Sequence, residues 1–275
     1  MFFVPPNLTT ASRITFKALQ LGTWALSAAF LLSNPAKAQL GASPLVIESQ
    51  ANRGQAQAFI NVTNSGNIPL RVRLYTEPFT YNRDKGFQTA PSSANDLSSY
   101  LQFSPRELTV PPGVTRRVRL RAMLAPSLPD GEYRTAVFTE SLKELGDDDS
   151  NTVSVVTRVG TVIYVRKGDV EPNLAVDSVN FDQAQNQIQL LIRNTGDASA
   201  ISTATWTLKQ DETVISTGES IATTVIAQGD RYFLLDDAKL ESLSPGNYQL
   251  TGELTWGEDE SNKLPFNVNL TVPEQ

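Results

Sequence analysis

The sequence predicts an all-β protein: two tandem immunoglobulin-like β-sandwich domains after an N-terminal signal peptide. Three observations predict it. From residue 44 onward, short segments alternate apolar and polar residues, with turn signals between them, as half-buried antiparallel strands do. The strand order of the first half recurs in the second. Within that repeat, "LPDGEYRTAVF" (128–138) returns as "LSPGNYQLTGEL" (243–254), each placing a Tyr two residues after a Gly.

The first 38 residues come first in chain order. Arg13 and Lys17 precede a mostly apolar run, "ALQLGTWALSAAFLL" (18–32). Helix breakers follow in "SNP", and Ala36-Lys37-Ala38 gives a small-x-small site before Gln39. These parts in this order predict a cleaved signal peptide over 1–38. A permanent anchor is the rival reading, but the run is short of the roughly 20 residues a spanning helix needs. Export therefore predicts a chain with no stable membrane insertion after cleavage.

In the first sandwich, "QAFINVTN" (57–64) alternates and stops at "NSGN". "LRVRLY" (70–75) turns Leu70, Val72 and Leu74 to one face and Arg71, Arg73 and Tyr75 to the other. "TRRVRLRA" (115–122) repeats the device, with Val118 and Leu120 inward and Arg117, Arg119 and Arg121 outward. Such rows of long basic side chains either bind anionic partners or guard exposed sheet faces and edges, the second being the commoner use. "YRTAVFTES" (133–141) and "NTVSVVTRVGTVIYVR" (151–166) complete the set. The second sandwich answers with "IQLLIRNTGD" (188–197), "TATWTLKQ" (203–210), "RYFLLDD" (231–237) and "LPFNVNLTV" (264–272). Tyr133 and Tyr248 stand where such sandwiches form a tyrosine corner, and Trp206 where they bury a core Trp. The boundary falls in "RKGDVEP" (166–172), giving domains 39–168 and 169–275.

Composition bounds the function. The 275 residues include no His and no Cys, which removes His-based triads, thiol nucleophiles and zinc sites. The reading is a non-enzyme with no cofactor and no metal. "GDDDSN" (146–151) and "WGEDES" (256–261) lack the spaced ligands of a calcium loop and read as solvated charge. "NVT" (61–63) and "NLT" (269–271) match glycosylation acceptors without further support. Without the signal's three cations the chain carries 20 basic and 29 acidic side chains, and no polybasic tract points to nucleic acid. Charge is uneven: residues 39–170 hold 15 basic and 13 acidic groups, whereas 171–275 hold 5 and 16.

"FINVTNSGNIPLRVRLY" (59–75), "YLQFSPRELTVPPGVTRRVRLRA" (100–122) and "LPDGEYRTAVFTESL" (128–142) resemble the N-terminal domain of periplasmic pilus (fimbrial) assembly chaperones, the PapD-like family. The resemblance covers roughly 44–167; the second domain matches in general architecture. It implies a periplasmic chaperone of surface-fibre assembly, whose partner is a pilin-like subunit lacking one β-strand, with an outer-membrane usher as a further candidate partner. The alternative is an exported structural or adhesive sandwich protein, at the cell surface or secreted. In the family the seventh strand is lent to the subunit, and basic cleft residues hold the subunit's terminal carboxylate. The matching strand is 151–166. Its odd positions are β-branched and belong to the core, so Val156, Arg158, Val162 and Tyr164 of the even face are the expected subunit-binding residues. The family's two anchoring cations fall at Glu48 and Val162, which leaves Arg53, Arg166 and Lys167 as candidate cleft cations.

Overall fold

In the computed structural model, residues 39–142, 156–237, 240 and 243–274 are described. The predicted signal peptide, the acidic "GDDDSN" loop and residues 151–155 of the predicted seventh strand lie outside them.

Among the described residues, the first half of the chain holds eleven strands: β1 (Leu40–Ser43), β2 (Val46–Gln50), β3 (Gln55–Asn64), β4 (Leu70–Glu77), β5 (Phe79–Asn82), β6 (Gly86–Thr89), β7 (Leu101–Ser104), β8 (Glu107–Val110), β9 (Thr115–Met123), β10 (Gly131–Ser141) and β11 (Arg158–Lys167); nine of these build the first sandwich. One sheet runs β1-β3-β9-β7, and the facing sheet runs β2-β11-β10-β4-β8. Alternation decides which side chains meet between them. Ile60, Val62, Val118 and Leu120 from one sheet pack on Val72, Val137, Ile163 and Val165 from the other. Strands β5 and β6 form a separate hairpin.

The second sandwich contains β12 (Leu174–Asp182), β13 (Gln187–Asn194), β14 (Ala200–Gln210), β15 (Thr213–Glu219), β16 (Thr223–Val225), β17 (Gly229–Leu235), β18 (Gly246–Trp256) and β19 (Asn262–Val272). Its sheets are β12-β13-β17 and β15-β14-β18-β19, with β16 paired to β14. Trp206 is buried in this core with Ile188, Leu190, Ile192, Leu208 and Phe233. Gly218 faces the Trp206 ring from β15, where a Cβ would stand 2.6 Å from ring carbon Cζ2, so this pairing requires glycine.

The internal repeat has a hydrogen-bonding cause. Asn64 ends β3 fully buried; its Nδ2 donates to the carbonyls of Ile68 and Val110, at 2.7 and 2.9 Å, and its Oδ1 accepts from Gly66 N at 2.9 Å. Asn194 ends β13 in the same way, donating to Ala198 and Val225 and accepting from Gly196 N. Each Asn satisfies backbone groups where a strand leaves its sheet, which burial makes obligatory. Both tyrosine corners are present: Tyr133 Oη donates to the Pro129 carbonyl at 2.9 Å, and Tyr248 Oη to that of Ser244 at 2.7 Å.

Candidate functional site

The site is built on β11 and the junction that follows it. β11 pairs antiparallel with β10 along its whole length, from Arg158 opposite Glu140 to Lys167 opposite Gly131. On its other edge β2 runs parallel, but only from Val162 to Arg166. Val162 N donates to Leu45 O, and Ala51 N donates to Arg166 O, so even-numbered residues turn their backbone groups toward the β2 side. The same alternation turns the N–H and C=O of Arg158 and Gly160 to that edge, where no strand pairs among the described residues. A partly covered edge of this kind is a template for another strand.

The side chains of β11 divide as the alternation requires. Thr161, Ile163 and Val165 are buried toward the first core. The even face is not uniformly open, which corrects the sequence-based expectation. Val156, just before β11, is exposed, and Arg158 is exposed at its start. Val162 is half-buried, and Tyr164 is completely buried. The cause is the β5–β6 hairpin, whose Phe79 packs edge-on against Tyr164 at 6.0 Å between ring centres. Phe79, Ala136, Phe138, Tyr164 and Ile226 form a third apolar cluster, flanked by Val46, Tyr75, Tyr81 and Val162. Burial pushes the Tyr164 phenol well above its ordinary range, with Tyr81 adding to the shift. Arg158 caps the cluster: its guanidinium carbon lies 3.5 Å from the Phe138 ring centre, and it pairs with Glu77 at 2.7 Å.

The candidate cations Arg166 and Lys167 are engaged within the chain. Arg166 Nη2 donates to Ser199 O at 2.7 Å and to Glu48 at 3.1 Å. Lys167 Nζ reaches Asp130 at 3.2 Å and donates to the carbonyl of Leu128. Arg53 sits in the turn between β2 and β3 at a φ of 52° and does not line either junction cavity. Burial pushes the Glu48 carboxyl up; Arg166 opposes that shift and Glu132 adds to it.

Sequence reasoning missed the group that ties the two sandwiches together. Glu132 is buried at the start of β10, accepting from Ser199 N at 2.7 Å and from Ser199 Oγ. Arg166 Nε and Arg134 Nη1 each stand 3.7 Å from its carboxylate. Ser199 Oγ in turn accepts from Ala227 N at 3.1 Å. A second tie comes from the hairpin turn, where Arg83 Nε donates to Asp230 Oδ1 at 2.9 Å and Nη2 donates to Oδ2. The Arg231 guanidinium lies 4.6 Å from the Tyr81 ring centre. Two cavities flank the junction: one of about 850 Å³ lined by Tyr81, Arg134, Arg193 and Asp230 among others, and one of about 650 Å³ lined by Glu48, Arg166, Ser199 and Trp256 among others. The visible sequence signal for Glu132 is its place in "LPDGE", on the face opposite Tyr133.

Among the described residues, no group of three or more Asp or Glu could hold a metal ion, and no helix is long and apolar enough to cross a membrane. No family model matches the chain, and no curated protein matches it. Solved structures do. The YadV chaperone superimposes with a TM-score of 0.50 at 10% identity, over 85% of this chain and 100% of that chain. The class 5 fimbriae chaperone CfaA gives 0.49 at 14%, over 86% and 100%. The CsuC–CsuE chaperone–tip adhesion subunit pre-assembly complex of Acinetobacter baumannii gives 0.44 at 17%, over 85% and 99%. The likeness to the YadV chaperone is one of fold: tandem immunoglobulin-like β-sandwiches.

Proposed function

We propose that the protein is a periplasmic chaperone of surface-fibre assembly that binds a pilin-like subunit lacking one β-strand, by adding the open edge of β11 to it. The observation that carries this reading is the β11 edge upstream of Val162, which β2 leaves unpaired among the described residues. In strand addition, backbone bonds supply affinity and alternate side chains supply register. Arg158 and Gly160 offer the backbone groups, and the exposed Val156 offers an apolar side chain. Val162 and Tyr164 contribute from beneath the hairpin, by holding β11 in place. Of the candidate cleft cations, Arg166 stands at the junction, Lys167 is held by Asp130 and the Leu128 carbonyl, and Arg53 stands apart.

The test is capture of a purified pilin-like subunit that lacks its seventh strand. Val156→Lys combined with Arg158→Pro puts a charge on the donor face and removes one open-edge N–H. That variant is expected to lose the complex while its circular dichroism stays unchanged. Unchanged capture by the folded double variant would overturn strand addition along this edge.

A further inference from the structure

The strands of the β1-β3-β9-β7 sheet, "LGAS", "QAQAFINVTN", "TRRVRLRAM" and "LQFS", contain no Asp or Glu. On its outer face Arg117, Arg119 and Arg121 are exposed at alternate positions of β9, about 7 Å apart along the strand. Their neighbours orient them without neutralising them. Arg119 Nη2 donates to Gln57 Oε1 at 2.7 Å, Arg121 Nη2 donates to Gln55 Oε1 at 3.0 Å, and the Arg117 guanidinium lies 5.0 Å from the Phe59 ring centre. Among the described residues none of the three has an ion pair. On the other sheet, by contrast, Arg71, Arg73, Arg134, Arg158 and Arg166 each face a carboxylate. A guanidinium fork so presented matches a carboxylate in two-point geometry.

The complementary surface is on the same chain, at the wrong place to be reached within it. β14 begins beside Ser199 at the junction and runs outward to Gln210. Pairing then puts the β14–β15 turn, the end of β17 and the end of β19 at the far end of the second sandwich. Asp211, Glu212, Asp236 and Glu274 are exposed there, and no ion pair neutralises them among the described residues. Residues 171–275 carry 16 acidic groups against 5 basic ones, so this acidic end has a large charge surplus behind it.

We propose that the Arg117–Arg119–Arg121 face of one copy docks the acidic far end of the second sandwich of another copy. The contact is head-to-tail, so it builds a ring where the rotation between copies closes and an open chain where it does not. It is a contact between exposed charges and is weakened by salt. A second copy is the occupant because it supplies, at Asp211, Glu212, Asp236 and Glu274, the exposed carboxylates that the guanidinium forks match. The proposal uses a different face from strand addition and stands independently of it.

Sedimentation velocity of the full exported chain tests it at about 20 mM and about 500 mM salt. The expected result is a sedimentation coefficient that rises with protein concentration at low salt and not at high salt. Arg117→Glu/Arg119→Glu/Arg121→Glu and Asp211→Lys/Glu212→Lys should each lose that rise, and an equimolar mixture of the two should regain it. If the triple variant fails to fold, Arg119→Glu alone should reduce the rise. A wild-type chain that stays monomeric at low salt overturns the proposal, as does association that neither variant changes. Flotation of monomeric wild type with phosphatidylglycerol vesicles, lost in the Arg variant, would assign the face to lipid and overturn it equally.

Discussion

Glu132 shows how one side chain can decide a two-domain geometry. Its carboxylate is buried between the sandwiches, and its polar contacts, to Ser199, Arg166 and Arg134, are made inside the chain. Removing one partner of a buried charge network leaves the others unpaired and costs about 3–5 kcal/mol. Glu132→Ala should therefore lower the urea midpoint strongly, and Glu132→Gln, which keeps the shape, should lower it less. Equal, small effects would show that the carboxylate is dispensable. Asp230 gives a pH-dependent counterpart. Its hydrogen bond with Arg83 holds its carboxyl below the usual carboxylate range. Because the folded value lies below the unfolded one, the stabilisation is present above the unfolded value, near about 4. It is lost as pH falls through the folded value. Asp230→Asn should flatten the acid side of the stability profile, read by thermal unfolding between neutral pH and the acid range; an unchanged profile would count against it.

At the scale of elements, the β5–β6 hairpin reshapes the site more than any strand of the sandwiches. Its Phe79 is fully buried against Tyr164, and its Phe87 and Tyr81 pack around Phe79. Phe79→Ala should cost about 3–5 kcal/mol, as large-to-small changes in a packed core do, and should quicken amide exchange at Tyr164. A loss under about 1 kcal/mol would mean that the hairpin packs loosely. This element was not legible in the sequence: two four-residue strands are too short to establish a period, and their packing depends on residues far along the chain. The strands β3, β4, β9 and β14 were legible, because each buries one face and alternates; β10 is buried on both faces. Tyr133, Tyr248 and Trp206 were legible for the same reason, since their roles depend on nearby turns and strand position. Tyr164 was misread as outward because alternation assigns a face but does not say what covers it. The Glu132–Ser199 contact joins residues 67 apart, and no local pattern encodes such a meeting.

Across the whole molecule, the ties at Glu132 and Arg83 hold the sandwiches along two lines, one beside β10 and β11 and the other at the hairpin. The positive face of the first sandwich and the acidic end of the second then lie on separate parts of one chain. The parallel pairing of β2 with β11 has a further consequence. It begins at Val162, so a strand entering from the Val156 side can advance along the edge only until it meets β2. In the proposed strand addition, the five residues of β2 act as a doorstop: they set how deeply a guest can slide and stop it short of Arg166.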